Sequence, residues 1–85
     1  MFHTTLDHMQ IGQQCQILRL RGDKKLRARL IEMGITPGVQ VTMKKFAPLG
    51  DPLQLLVRGY ALAVSRDVAR RIEVRILISR HKTGS

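Results

Sequence analysis

The sequence predicts a small, mainly β domain in which five short strands form a barrel, with one inserted α-helix and a short helical turn before the last strand. Three observations carry this prediction. Apolar and polar residues alternate over several short segments, one segment has helical spacing, and Gly or Pro separates the segments. A chain of 85 residues has room for one hydrophobic core, so we expect one domain over residues 1–78.

The N-terminal residues are expected to form a turn that plugs one end of the barrel. Thr5 is the candidate cap of this turn, and Leu6 and Met9 lie on one apolar side of it. Residues 14–20 then have the composition of the first strand. Their alternation is imperfect, which indicates a bulge near Leu18.

The clearest helix extends from its N-cap, Asp23, through Met33, and Gly34 supplies the C-terminal stop. Leu26, Leu30 and Met33 recur at helical spacing. We therefore expect one apolar stripe of this helix to pack on the barrel.

The other faces of this helix carry four basic residues, namely Lys24, Lys25, Arg27 and Arg29. Lys25 and Arg29 form a like-charge i,i+4 pair, which slightly weakens an isolated helix. A solvated helix face and a docking patch for an anionic partner both fit this crowding, and Arg70 and Arg71 are further candidates for such a patch. A docking patch would raise the association rate more than it would set specificity.

The remaining strands have a period of two, as expected of strands that are buried on one face. The residues at this period are Val39, Val41, Met43, Leu53, Leu55, Val57, Tyr60, Leu62, Val64, Ile72, Val74, Ile76 and Ile78. A tight turn at Gly59 makes a hairpin, and Ser65 is predicted to cap a helical turn over residues 66–71. The order of strands and helices, with the helix after the first strand, favours an SH3-like barrel over an OB-fold, whose helix usually follows the third strand.

The composition limits the partners and the compartment. A formal charge of +9 predicts an anionic partner, which could be nucleic acid, an anionic membrane face or an acidic protein surface. The few aromatic residues give no platform for stacked bases, so nucleic acid is disfavoured. A single cysteine, the lack of a signal peptide and the lack of an apolar run of about 20 residues predict a soluble cytoplasmic protein with no membrane insertion.

The sequence predicts no enzyme and no resident cofactor. It has no carboxylate pair, no nucleophile with its base and no glycine-rich phosphate loop. His3, His8, Asp7 and Cys15 are the candidate metal ligands, but their spacing is poor and we expect no metal site. A lone cysteine on a strand is expected to be a small buried apolar residue.

Three stretches are distinctive together: LRARLIEMGITPG over residues 26–38, FAPLGDP over residues 46–52 and VRGYALAVSRDVA over residues 57–69. They resemble the ferrous-iron transport protein A (FeoA) family over residues 6–74. The resemblance implies an SH3-like fold and a small cytoplasmic accessory of a membrane ferrous-iron transporter that carries a GTPase domain. The resemblance also implies a relation to domains that occur in metal-dependent repressors. The basic helix face and the tail at residues 80–82 do not match the family pattern.

The segment Pro48, Leu49, Gly50, Asp51 and Pro52, called here the proline loop, has two interpretations. In the structural one, Gly50 adopts a positive φ and the prolines fix a strand crossover. In the functional one, Leu49 is an apolar anchor that loses little entropy on binding a partner. Leu56, which the alternation directs away from the core, is a candidate extension of that surface.

Two functions follow from these observations. The leading hypothesis is an accessory protein that binds the transporter through the proline loop, Leu56 and the basic helix residues, and supports Fe(II) uptake by adjusting its GTPase or gating state. The alternative is a regulatory or nucleic-acid-binding SH3-like module, as in metal-dependent repressors. Self-association is left open, and residues 79–85 are expected to be a disordered basic tail.

Overall fold

The computed structural model describes residues 2–78, which form one antiparallel six-stranded sheet, two α-helices and two 3-10 turns. The elements in chain order are β1 (Phe2–Thr5), a 3-10 turn (Leu6–His8), β2 (Gln14–Leu20), α1 (Lys24–Glu32), β3 (Gln40–Phe46), a 3-10 turn (Pro48–Gly50), β4 (Leu53–Val57), β5 (Tyr60–Val64), α2 (Arg66–Ala69) and β6 (Ile72–Leu77). The strand order is β1-β6-β2-β3-β4-β5. The predicted disordered tail lies outside the described residues.

The sheet has six strands, so the predicted count of five was wrong. The additional strand, β1, pairs with β6 from Phe2 opposite Ile76 to Thr5 opposite Glu73. It was missed because its short His-Thr-Thr segment has no apolar alternation, and its backbone pairing with β6 holds it in place. His3, one of the candidate metal ligands, accordingly lies in a strand.

The predicted N-terminal turn follows β1, and its two apolar residues are buried as expected. Leu6 has no exposed surface and Met9 almost none. Thr5 occupies the N-cap position, but its hydroxyl donates a hydrogen bond to Asp7 Oδ1 instead of accepting one from the backbone of the turn. The turn therefore has no side-chain cap, and burial of Leu6 and Met9 and the hydrogen bond from the Met9 N–H to the Leu6 carbonyl hold it.

The predicted strand bulge is confirmed. Strand β2 lies between β6 and β3, and its register with β6 shifts between Ile17 and Arg19, where Leu18 is the additional residue. After such a bulge, the residues whose side chains face the core are displaced by one position along the strand. Cys15, Ile17 and Leu20 can therefore all reach the core although their spacing is not a constant two.

Helix α1 begins as predicted, with Asp23 accepting a hydrogen bond from the Leu26 N–H at 2.8 Å. It ends one residue earlier than predicted, because Met33 is the C-cap. The apolar stripe is only partly buried: Leu30 is buried, Leu26 is half-buried, and Met33 is exposed.

The C-terminus of α1 is a Schellman motif. The Gly34 N–H donates to the Ile31 carbonyl and the Ile35 N–H donates to the Leu30 carbonyl, both at 2.9 Å. Gly34 has φ 96°, which the predicted role as C-terminal stop requires. Ile35, directly after the stop, is fully buried beside Leu30 in the core.

A substitution at Gly34 tests this helix stop. A Cβ there would meet no atom within 4 Å, so Gly34→Ala adds only backbone strain. We expect Gly34→Ala to lower the free energy of unfolding by about 1 kcal/mol, as measured by urea denaturation. Gly34→Asn is the control and should cost clearly less, because asparagine tolerates the left-handed region. Equal losses of unfolding free energy for the two variants would contradict the proposal that the positive φ of Gly34 requires glycine.

The core lies on one face of the sheet and is almost entirely aliphatic. Its buried residues are Leu6, Met9, Cys15, Ile17, Leu20, Leu30, Ile35, Val39, Val41, Met43, Leu53, Leu55, Val57, Val64, Ala69, Ile72 and Val74. The predicted alternation fails at two strand ends: Tyr60 and Ile78 are exposed, the latter beyond the end of β6. No helix among residues 2–78 combines the length and the apolarity needed to span a bilayer.

Candidate functional site

The proline loop connects β3 to β4 and is closed by its own backbone. The Gly50 N–H donates to the Ala47 carbonyl at 2.8 Å, and the Ala47 N–H donates to the Pro52 carbonyl at 2.9 Å. Pro48–Gly50 form a short 3-10 turn that is interrupted at Leu49. The two bonds give the loop a fixed base.

Leu49 lies at the tip of this loop in the left-handed region, with φ 73° and ψ 8°. Its side chain is fully exposed to solvent. For a residue with a Cβ, this conformation costs about 1–2 kcal/mol. The loop thus presents a large apolar side chain at a backbone position where glycine would cause less strain. Gly50 follows with φ 82°, as the structural interpretation predicted.

One side chain, Arg66, fixes the loop to the rest of the domain. Its Nε and Nη2 donate to the Gly50 carbonyl at 3.1 and 3.0 Å, and its Nη1 donates to the Asp7 carbonyl at 3.2 Å. The guanidinium also lies over the ring of Phe46, 5.5 Å from its centroid. Arg66 therefore joins the loop, the N-terminal turn and the end of β3.

Asp51 connects the loop to helix α2. Its Oδ1 accepts a hydrogen bond at 3.1 Å from the backbone N–H of Arg66, the first residue of α2. Ser65 caps the same helix, as predicted, by accepting from the Val68 N–H. Leu49 is thus the residue of the proline loop that makes no contact of this kind and remains fully exposed.

Arg66 is the residue that the sequence analysis missed. It follows the capping residue Ser65 and lies in the stretch 57–69 that carries the family resemblance, but neither signal indicates its contacts. Its partners lie 16 and 59 residues away along the chain, so no local pattern contains them.

Leu56 does not extend the surface around Leu49. It is half-buried in a shallow depression with Thr42, Arg58 and Gly59, near the hairpin turn at the far end of β4. The proline loop adjoins the opposite end of β4, at Leu53. The structure therefore separates these two sequence-predicted site residues.

The four basic residues of α1 are all exposed: Lys24, Lys25, Arg27 and Arg29. Among residues 2–78 none of them forms an ion pair, and Arg27 donates only to the Gly22 carbonyl, at 3.1 Å. Arg70 and Arg71 differ, because both pair with Asp67 at 3.2 and 3.7 Å. Of the six basic residues considered for a docking patch, the four without an ion pair among residues 2–78 are therefore those of α1.

Cys15 is buried, and burial raises the pKa of its thiol from 9.0 to about 12. The thiolate is the reactive form of cysteine. We therefore expect the folded protein to react with a thiol reagent at pH 8 only at the rate at which local unfolding exposes the Cys15 thiol. The raised pKa also stabilises the fold below pH 9, and this contribution is lost as the pH rises toward 12. Labelling of folded and urea-unfolded protein measures the first effect; equal rates would contradict it.

Among residues 2–78 no three His, Cys, Asp or Glu side chains are arranged to hold a metal ion. The Nδ1 of His8 lies 3.2 Å from the hydroxyls of both Thr4 and Thr5, at the end of the adjoining strand β1. The candidate ligands of the sequence analysis are thus not assembled into a site in the part of the chain that the structure describes.

Comparison with known proteins finds a curated relative and solved structures that resemble this chain. A curated relative from Porphyromonas gingivalis, an Fe(2+) transport protein A/Fe(2+) transporter FeoB fusion protein, is 36% identical over 80 residues. The alignment covers 94% of this chain and 9% of the relative, so the chain spans less than a tenth of that protein. A FeoA-like protein from Clostridium acetobutylicum is 27% identical with a TM-score of 0.84, covering 100% of this chain and 99% of that one.

The FeoA of Stenotrophomonas maltophilia, solved with zinc, is 25% identical with a TM-score of 0.70, covering 85% of this chain and 89% of that one. That protein is described as an SH3 domain protein possibly acting as a bacterial ferrous iron transport activating factor. The predicted SH3-like fold is thereby confirmed. The sequence model of the FeoA domain family matches residues 4–76, and this chain therefore belongs to the FeoA domain family.

Proposed function

We propose that this chain is a non-catalytic cytoplasmic accessory domain that docks on the cytoplasmic part of a ferrous-iron transporter and adjusts its GTPase or gating state. The P. gingivalis relative supports this partner, since it carries transport protein A and the transporter FeoB in one fusion protein. Fusion holds two modules at a high effective concentration, which is useful when the two act together. The activating role suggested for the S. maltophilia protein agrees with a supporting function in Fe(II) uptake.

The observation that carries the proposal is the conformation of Leu49. A fully exposed leucine held at φ 73° is costly in the free domain. Burial of that side chain in a partner would recover about 1.5–3 kcal/mol. Since Arg66 already holds the loop in place, little further ordering is needed on binding.

The basic face of α1 has a different part in this function. Its four uncompensated charges accelerate encounter with an acidic surface, and salt screens this effect. Specificity is assigned to Leu49 and the fixed loop around it. The two surfaces therefore predict different salt responses of the same complex.

The Leu49→Gly variant should change the affinity for the partner while changing the stability of the domain only slightly. Glycine adopts the left-handed conformation without the Cβ penalty but loses more entropy on folding, so we expect stability to change by less than about 1 kcal/mol. Loss of the buried leucine should weaken binding to the transporter's cytoplasmic domain by about 10- to 100-fold. Calorimetric titration measures the affinity, and urea denaturation measures the stability.

The matched control is Ile11→Ala, which shortens another exposed apolar side chain and should leave the affinity within about twofold. Iron uptake by cells that carry each variant tests the functional consequence. Unchanged affinity and normal uptake with Leu49→Gly would contradict docking through the loop. Tight, saturable binding of short duplex or single-stranded nucleic acid would favour the regulatory alternative instead.

A further inference from the structure

Strand β5 is an end strand of the sheet and has an open edge. Among residues 2–78 it pairs only with β4, with Val57 opposite Tyr60 next to a two-residue turn. In such a hairpin the pair that flanks the turn is hydrogen-bonded, and every second pair repeats this pattern. The N–H and C=O groups of Ala61 and Ala63 consequently point away from β4 toward the open edge.

This edge lacks the usual protection against strand pairing. End strands in soluble proteins generally carry a charge, a proline or a bulge that blocks a further strand. Strand β5 reads Tyr-Ala-Leu-Ala-Val, its ladder to β4 is regular, and Ala61 and Ala63 are exposed with only a methyl group each. Another backbone can therefore approach them closely.

An apolar groove of about 200 Å³ runs between this edge and helix α1. The residues that line it are Leu26, Arg29, Leu30, Met33, Ala63, Val64, Ser65 and Val68. Leu30 and Val64 are buried and form the floor, while Leu26 and Met33 leave apolar surface uncovered. The groove thus combines free backbone groups on one side with apolar side chains on the other.

The charge around the groove indicates the kind of occupant. Arg29 lines the groove and Lys25 lies one helical turn earlier, and neither forms an ion pair within residues 2–78. A second copy of this chain would bring the same cations, and its own charge of +9, to the same place. An occupant with carboxylates is therefore favoured over self-pairing.

We propose that the groove between α1 and β5 binds an extended acidic segment of a partner protein as an added strand. The segment donates to and accepts from the backbones of Ala61 and Ala63, as in β-strand addition to an open sheet edge. Alternate apolar side chains of the segment enter the groove beside Leu26 and Met33, and its carboxylates contact Arg29. This site is distinct from the proline loop and does not depend on its function.

A synthetic peptide, Ac-Glu-Val-Glu-Leu-Glu-Val-Glu-NH2 with a fluorescent label, tests the proposal by anisotropy and by amide chemical shifts. We expect saturable binding with shift changes concentrated in β5 and α1. N-methylation of the peptide amides that face β5 should weaken binding at least about tenfold, because it removes the strand hydrogen bonds. N-methylation of the intervening amides should leave the affinity within about twofold.

Charge-reversal variants of the protein supply the second test. Arg29→Glu should weaken binding at least about fivefold, whereas Lys44→Glu, an exposed change of equal charge on β3, should have less than about twofold effect. Equal weakening by both variants, or no difference between the two N-methylated peptides, would overturn the site. Dimers of the protein that the peptide dissociates would assign the edge to a second copy and overturn the proposed occupant.

Discussion

Replacing Arg66 by alanine is expected to lower the free energy of unfolding by about 2–4 kcal/mol, although this residue lies outside the aliphatic core. The substitution leaves the Gly50 and Asp7 carbonyls without their charged donor and removes the cation over Phe46. Because Arg66 is half-buried, water replaces these contacts only in part. Urea denaturation followed by circular dichroism measures the loss.

Two further variants show whether the loss comes from the loop contacts. Arg70→Ala removes an arginine that pairs with Asp67 at the surface and should cost less than about 1 kcal/mol. Arg66→Lys keeps the charge but not the planar fork, so it should recover less than half of the loss. If Arg66→Ala were no more destabilising than Arg70→Ala, the loop would not depend on this side chain.

Replacing Leu6 by alanine is expected to lower the free energy of unfolding by about 2–5 kcal/mol. Leu6 belongs to the N-terminal turn, is fully buried, and adds to the core from outside the sheet. Its truncation leaves a cavity at the place where the turn closes the core. A small domain has little stability to lose, so the thermal midpoint should fall by many degrees.

The matched control for Leu6→Ala is Ile11→Ala, which shortens an apolar residue of the same N-terminal region that is 61% exposed. We expect this change to cost less than about 0.5 kcal/mol. A loss for Leu6→Ala below about 1 kcal/mol would show that the turn only covers the surface and is not part of the core.

Local patterns in the sequence were sufficient for most of the fold. The period of two located β3, β4 and the start of β6, because each is buried on one face only. The caps of α1 were readable since Asp23 and Gly34 act on backbone groups within a few residues of themselves. These features depend on neighbours in sequence, and a single sequence contains them.

Features that depend on distant residues were not readable. Strand β1 is held by pairing with β6, far away in the chain, and its own residues show no strand pattern. The contacts of Arg66 also join distant segments. Leu56 was assigned to the loop surface because alternation gives only the face of a strand, whereas Leu56 lies three residues along the strand from Leu53, where the loop ends.

The proline loop was predicted from its composition, because prolines and glycine limit the backbone within a few residues. The left-handed conformation of Leu49 was not predictable, since leucine gives no signal for φ 73°. That conformation depends on the closed base of the loop and on Arg66.

The central claim is that Leu49 anchors this domain to a ferrous-iron transporter. Its most direct test is the co-elution of the purified protein with the transporter's cytoplasmic domain, with and without GTP, at about 0.15 M salt and again at about 1 M, where the Debye length is about 3 Å. We expect binding at both concentrations for the unchanged protein and loss of binding at both for Leu49→Gly. Binding that disappears at 1 M salt and is the same for Leu49→Gly would contradict the claim and assign the interaction to the basic face of α1.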